Sequence, residues 1–399
     1  SFVGMKSQEV SVSSKSVINV TLFDEAIGIE EVVAVGYGTQ KKSVITGAIS
    51  GTSAKELADK PVSRIEQALQ GRASGVSITA GSGQPGESST VRVRGTTSIN
   101  NSDPLFVVDG TPITGNIDYL SPNDIESIEV LKDAASAAIY GARASAGVIL
   151  VSTKKGTVGT LRINYNGYLG TQSPAKKLSL LNANEYATLY NEALTNDGKA
   201  AMYSNPSSLG TGTDWQKAIF STNSKVENHE ISINGGNEKA VFYTSFGYYG
   251  QDGIVLPEVS NYKRYNLRIN SDFKLKPWLK FGENVSYSHT KSHAISGNNN
   301  QDIFAGLLSN AVNLDPTVPA VVNDPAIANA APYSNHTVMR DDAGNPYGIS
   351  NNYINPLAAA KAYSGNYSSS HNITGNFFAE IEPIKNLTLR SSLGAGIIF

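Results

Sequence analysis

From residue 159 onward, apolar and polar side chains alternate with a period of two. Leu161, Ile163, Tyr165 and Leu169 fall on one face, with Arg162, Asn164, Asn166 and Tyr168 on the other. Tyr265, Leu267, Ile269, Phe273 and Leu275 likewise oppose Asn266, Arg268, Asn270, Asp272 and Lys274. Ile373, Phe377, Ala379 and Ile381 oppose Thr374, Asn376 and Glu380, and Leu387, Leu389 and Leu393 oppose Thr388, Arg390 and Ser392. Such alternation predicts strands with one apolar and one polar face. Seven are predicted, near 160–170, 226–236, 239–250, 262–275, 278–291, 367–382 and 387–398. They exceed the ~5–6 residues of ordinary strands and reach the ~9–11 that cross a bilayer at a tilt.

The connectors between them alternate in length. Gly235-Gly236-Asn237-Glu238, Lys276-Pro277 and Pro383-Ile384-Lys385-Asn386 are short, 171–225 and 292–366 are long, and 251–261 is intermediate. A soluble two-faced sheet has no reason to sort its loops in this way. A transmembrane barrel does, with tight turns on the periplasmic side and long loops outside. Leu161, Ile163, Leu267, Ile269, Phe377 and Leu389 should then face lipid, and Asn164, Arg268 and Asn376 the lumen. Bacterial single-chain barrels use an even strand number and leave no open edge in lipid, so an odd seven predicts an incomplete wall. The chain starts with Ser1, not Met, and stops at Phe399 inside a predicted strand, so it is expected to be a segment of a longer protein. Tyr165, Tyr248, Tyr262, Tyr265, Trp278 and Tyr287 near strand ends suit interfacial girdles, or surfaces on which sugars stack.

Residues 43–158 read differently, as a mixed α/β unit. A capping box of Ser63 and Glu66 precedes Ile65–Leu69, with Gly71 placed to close that helix. Pro122 opens a second short helix, and Asp133 caps a third over Ala134–Tyr140, ended by Gly141. Strands are predicted at 76–78, 90–94, 104–109, 125–130 (partly helical) and 147–151. A lumen able to hold such a unit needs roughly 22 strands. Residues 1–25 alternate like the last strands of a small β domain, and 26–42 form an acidic linker ending in the β-branched run Glu31-Val32-Val33-Ala34-Val35-Gly36-Tyr37.

Composition removes several functions. A formal net charge of -2 over 399 residues argues against nucleic-acid binding, which requires a basic excess. The absence of Cys excludes disulfides, thiolate metal sites and a Cys nucleophile, and five scattered His offer no metal-ligand spacing. Gly81-Ser82-Gly83-Gln84-Pro85-Gly86 matches G-x-G-x-x-G, but Pro85 and the strand that follows leave no helix N-terminus to receive a pyrophosphate. No Ser-His-Asp arrangement or metal-spaced cluster stands out, and nothing singles out a carboxylate pair of the glycosidase type. Arg92, Arg94, Glu126, Glu129 and Arg143 are candidates for ion pairs, among themselves or with the barrel wall, or for solvated charges at one face.

The run from Leu131-Lys132-Asp133-Ala134-Ala135-Ser136 through Ile139-Tyr140-Gly141-Ala142-Arg143 to Gly147-Val148-Ile149-Leu150-Val151-Ser152-Thr153-Lys154-Lys155-Gly156 resembles the plug-end motif of TonB-dependent outer-membrane transporters, and more narrowly their SusC/RagA-like branch. Glu31–Gly38 with Thr39-Gln40-Lys41-Lys42, Ala68–Val76, and Arg92–Gly95 followed by Phe106-Val107-Val108-Asp109-Gly110 agree with it. Ala144-Ser145-Ala146 departs from the branch's Gly-Ala-Asn-like run by small-for-small changes. The resemblance implies a transporter and not an enzyme, with an α/β plug domain followed by an antiparallel transmembrane β-barrel of the outer membrane. Residues 1–25 would close a carboxypeptidase-regulatory-like extension, and Glu31–Tyr37 would be the TonB box. It further implies a periplasmic plug, an inner-membrane TonB complex as energy source, a SusD-like surface lipoprotein as lid, outer-membrane lipid around the wall, an oligosaccharide or peptide as cargo, and no cofactor. A siderophore or cobalamin receptor of the same architecture, and a β-rich surface adhesin or glycan-binding module, are the competing readings; the extension counts against the first, and detergent dependence would separate the second.

Overall fold

A computed structural model describes residues 32–35, 38–41, 49–53, 64–99, 102–113, 115–133, 137–295, 306–335, 337–385 and 387–399. The readings for residues 1–25, for Glu31, Gly36 and Tyr37, and for the Ser63 cap lie outside the described residues. Strand β1 (Val32–Val35) pairs antiparallel with β2 (Gly38–Lys41) as a separate two-stranded sheet.

The α/β unit is built on five strands, β3 (Ile49–Ser53), β6 (Leu105–Val108), β7 (Thr111–Ile113), β8 (Ile125–Leu131) and β9 (Val148–Thr153), in the order β3-β8-β9-β6-β7. The β6–β9 pair is parallel, and the other three pairs are antiparallel. A second hairpin joins β4 (Val76–Ala80) to β5 (Ser89–Val93). Strands β6 and β9 read as continuous apolar runs because both of their faces are covered. Phe106, Val108, Ile149 and Val151 pack on one side with Ile65 and Leu69 of helix α1 (Ile65–Leu69). Val107, Val148 and Leu150 pack on the other with Leu131, Tyr140 and Ala144.

One local reading is corrected: residues 125–131 are strand throughout, with no helical part. The N-cap of α1 is Arg64, whose side chain makes no cap bond and instead reaches the carbonyl of Gly86. Of the helix expected over Ala134–Tyr140, residues 134–136 lie outside the described residues; a 3-10 helix runs over Ala138–Ala144 and is broken inside by Gly141 at φ 65.

The wall consists of β10 (Gly159–Gln172), β11 (Ser224–Gly236), β12 (Ala240–Asp252), β13 (Asn261–Lys276), β14 (Leu279–His293), β15 (Ser368–Ile384) and β16 (Leu387–Ile398), antiparallel and in chain order. It is an open seven-stranded part of a barrel. Its cross-strand register settles which face is which, because directly opposed residues share a side. One row is Tyr165, Ile231, Phe246, Leu267, Tyr287, Ile373 and Ile397; the next along the strands, on the opposite side, is Asn164, Ser232, Ser245, Arg268, Ser286, Thr374 and Gly396. Leu161, Ile163, Leu267, Ile269, Phe377 and Leu389 are 40–64% exposed, whereas Arg268 and Asn376 are 1% and 8% exposed against the α/β unit. The apolar face therefore points outward and the polar face inward. Leu267→Lys should cost ~2–4 kcal/mol if its row lies near the bilayer midplane, read as a loss of the heat-modifiable folded band on electrophoresis; an unchanged band would refute this outward register.

The long connectors 173–223, 253–260 and 294–367 all leave the same end of the wall. They carry α2 (Ala183–Asn196), α3 (Trp215–Ile219), α4 (Leu307–Asn313), α5 (Pro325–Ala328) and α6 (Pro356–Tyr363). Trp215, Ile219, Leu256, Leu307 and Leu314 give this end an apolar core of its own. Helix α2 starts at a capping box, Asn182 with Glu185.

Candidate functional site at the plug and wall interface

The α/β unit is fastened to the inner face of the wall by polar side chains at three points. The first is the two-residue turn between β6 and β7. Asp109 (φ 47) and Gly110 (φ 83) both take left-handed conformations, as the Asp-Gly signature of a type I′ hairpin requires. The Asp109 carboxylate accepts from the Thr153 N–H at 3.0 Å, from the Thr153 hydroxyl at 2.6 Å, and from Asn284 Nδ2. Arg268 Nη2 forms an ion pair with it at 2.7 Å, both side chains being 8% exposed or less. Asn376 Nδ2 donates to the Asp109 carbonyl at 3.2 Å and to Thr111 Oγ1 at 2.8 Å. Three adjacent strands, β13, β14 and β15, thus grip one turn. Burial alone would push the Asp109 carboxyl up, but the Arg268 guanidinium and the Thr153 hydroxyl and N–H outweigh it and hold the group below the usual carboxylate range.

The second point is the 3-10 turn Pro122–Asp124. Asp124 accepts from Tyr243 Oη at 2.9 Å and Ser245 Oγ at 2.6 Å, and Ser121 Oγ donates to Glu230 at 2.8 Å. At the third, Arg264 Nη1 donates to the Asp118 carbonyl at 2.9 Å and Asn266 Nδ2 to the Tyr119 carbonyl. Arg64 lies 3.5 Å from the Asp118 carboxylate. The buried Tyr119 phenol is pushed up to about 12, chiefly by burial.

The glycine-rich loop 81–86 docks beside this third point. Gly86 has φ +76, and a Cβ there would stand 2.2 Å from the Tyr262 ring. The loop is thus shaped to pass beneath a wall tyrosine. Tyr262, read as a girdle residue, points inward and is 4% exposed. Among the described residues, the apolar clusters of the α/β unit include no wall residue. Hydrogen bonds and ion pairs therefore carry the junction, and water can replace such contacts when the surfaces part.

Residues 41–148 match the family model described as TonB-dependent Receptor Plug Domain. The chain is 35% identical to TonB-dependent receptor P26 of Formosa agariphila, over 98% of this chain and 37% of that protein. It is 32% identical to TonB-dependent receptor SusC of Bacteroides thetaiotaomicron, over 99% of this chain and 39% of that protein. The chain belongs to the TonB-dependent receptors. It is an outer-membrane protein of their SusC/RagA-like branch, and no part of the comparison points to an enzyme. The solved structure of the RagAB peptide importer in its open-open state covers 92% of this chain with a TM-score of 0.73 and 28% identity, the match spanning 42% of that chain. The receptor chain thus spans roughly two-fifths of the length of the relatives it matches.

Within the receptor, the five charged residues singled out from the plug sequence occupy quite different places. Arg92 pairs with Asp103 inside the plug, and both are partly exposed. Arg94, at φ 57, donates its backbone N–H to Gly75 and leaves its side chain exposed. Glu126 and Arg143 are exposed too, and among the described residues neither they nor Arg94 form an ion pair with the wall or with one another. Glu129 is buried on the inner strand β8, where Ser127 Oγ donates to one carboxylate oxygen at 2.7 Å and the other oxygen has no partner among the described residues. The residues that hold the wall are instead Asp109, Asp118 and Asp124. Asp109 closes the quoted Phe106–Gly110 stretch, and Arg268 and Asn376 lie on the alternating polar face. Asp118, Asp124 and Glu230 had no sequence signal beyond being acidic.

Burial pushes the Glu129 carboxyl up, with the Ser127 hydrogen bond opposing it. A raised folded value means that this group stabilises the plug at low pH and that the contribution is lost as pH rises through that value. Glu129→Gln should therefore raise the plug's Tm at pH 8 by about 2–4 °C, the shift expected of ~1 kcal/mol in a unit of this order, and leave it unchanged at pH 4. Equal shifts at both pH values would show that charge burial is not the cause.

Proposed function

We propose that the receptor imports an oligosaccharide or a peptide across the outer membrane, its plug being displaced from the wall by force applied on the periplasmic side. The observation that carries this reading is the junction itself: an apolar-outside wall holds a compact plug through hydrogen bonds and one deeply buried ion pair, Arg268–Asp109. A permanent domain contact would gain more from shared apolar burial. Transmembrane barrels keep short turns on the periplasmic side, which supports reading the long connectors and their apolar core as external. There they can meet cargo and a SusD-like lipoprotein. The segment Glu31–Tyr37, whose Val32–Val35 forms β1, is the coupling segment that a TonB complex would engage.

Likeness to the RagAB peptide importer, at 28% identity over 92% of this chain, supports the peptide class, whereas likeness to a ferrienterobactin receptor spans only 27% of the chain. The test is uptake of labelled oligosaccharide and peptide panels by cells carrying or lacking the full-length gene. Uptake of one class should require the gene, the TonB complex and the proton-motive force. Gene-dependent surface binding without uptake would favour an adhesin, and gene-dependent iron uptake a siderophore receptor.

A further inference from the structure

On the outer face of the wall, the row bordering the apolar rows carries rings on six adjacent strands: His229, Tyr248, Tyr265, His289, His371 and Phe399. Neighbouring centroids lie 6.5, 5.1, 6.1, 4.4 and 5.2 Å apart, so the rings form a continuous ladder. Two phenols bind imidazoles beside it, Tyr165 Oη to His229 at 2.7 Å and Tyr287 Oη to His371 at 2.8 Å.

One step further toward the long connectors, the outward positions become cationic. Lys263 stands directly opposite Lys291, and His293 is two residues beyond Lys291 on the same face. Lys291 Nζ lies 4.2 Å above the Tyr367 ring, which His293 also touches at 5.9 Å between centroids. Neither lysine has an ion pair among the described residues, and Glu227 farther along the row is taken by Lys225 at 2.7 Å. Asp252, opposite Asn261, is the outward carboxylate nearest this patch.

Two like charges directly opposite in a sheet repel one another, and among the described residues no carboxylate pairs with either lysine. A ladder of amphipathic rings marks the level at which hydrocarbon gives way to headgroups. Cations just beyond that level, with their stems lying over aromatic faces, are placed to meet anionic groups there. We propose that Lys263, Lys291 and His293 bind a phosphate carried by a lipid headgroup of the outer leaflet, with Tyr265, His289 and His371 packing beneath it. The assignment to the outer leaflet rests on the orientation proposed above.

The test uses the full-length receptor in nanodiscs doped with bisphosphorylated lipid A or with its dephosphorylated form, and reads lipid retention by native mass spectrometry. The parent should retain the phosphorylated form preferentially. K263Q/K291Q should lower that retention at least tenfold, at about fivefold per lysine, and leave the dephosphorylated form unchanged. K263R/K291R should behave as the parent, which separates charge from misfolding, and K239Q/K276Q at the short-turn end should change nothing. Equal retention of both lipids by the parent, undiminished retention by K263Q/K291Q, or displacement by millimolar inorganic phosphate would overturn the proposal. Biotinylation of Lys176 and Lys199 in intact cells checks the orientation. Labelling with unchanged retention overturns the patch alone, whereas absence of labelling overturns the outer-leaflet assignment together with the orientation.

Discussion

Replacing Arg268 by methionine is expected to unlatch the plug. The Asp109 carboxylate would stay buried beside Thr153, Asn284 and Asn376 but lose its one close cation. Removing one partner of a buried pair costs ~3–5 kcal/mol, and the surviving donors favour the lower end. Because the buried apolar clusters of the plug include no wall residue among the described residues, the loss falls mainly on docking. Cells carrying full-length R268M should become permeable to large antibiotics that the parent excludes, with several-fold lower inhibitory concentrations. D109N alone should leak less, since a neutral amide left beside Arg268 keeps a carbonyl acceptor. The double variant R268M/D109N should leak less than R268M, and the difference measures the coupling. An R268M receptor as tight as the parent would remove the latch from the mechanism.

The sign of the acid response follows from the same pair. A carboxyl whose folded value is depressed contributes stability that is present above its unfolded value of ~3.9 and lost as pH falls through the folded one. The contribution of the Asp109–Arg268 pair should therefore be flat across the neutral range and fade only in strong acid.

Most of the wall was legible because its physics is local. A strand with lipid on one side and a polar plug on the other must alternate, and all seven predicted strands overlap β10–β16, with ends within a few residues. Leu267 and Arg268 fell on the correct sides for that reason. The plug was legible through its apolar runs and turns, less so in its caps: Arg64 precedes α1, and its side chain reaches Gly86 and Asp118 and makes no cap bond. The site itself was largely hidden. Arg92 and Glu126 look like Asp109 and Asp124 in sequence, and only the fold shows that the latter pair faces the wall. The same holds for His229, His289 and His371, which have no useful spacing along the chain yet share one ring ladder. Register between strands created that ladder, and no single strand records it. Tyr262 went the other way, a strand-end tyrosine drawn inward over Gly86.

Transport is expected to stop when proline enters the coupling segment. In β1, Val33 stands opposite Gln40 and Ala34 opposite Thr39. Successive N–H groups of a strand point to opposite edges, so one of these two residues donates toward β2 and the other toward the open edge. Strand addition by a TonB periplasmic domain needs donors on that open edge. Val33→Pro and Ala34→Pro each remove one N–H and fix φ near -65°, and together they sample both edges. The substitution on the open edge should abolish uptake while leaving the β1–β2 hairpin paired. The one facing β2 should free the segment from its hairpin and test whether that pairing holds it in reserve; if so, TonB binding should rise before the missing donor limits it. Cargo binding at the external face should persist in both, because the proposed coupling acts from the periplasmic side. The measurements are paired uptake and surface binding in the full-length receptor, with TonB-domain affinity by titration. Normal uptake in both variants would end the coupling role of Glu31–Tyr37. Joint loss of uptake and surface binding would instead trace the defect to the plug's folding.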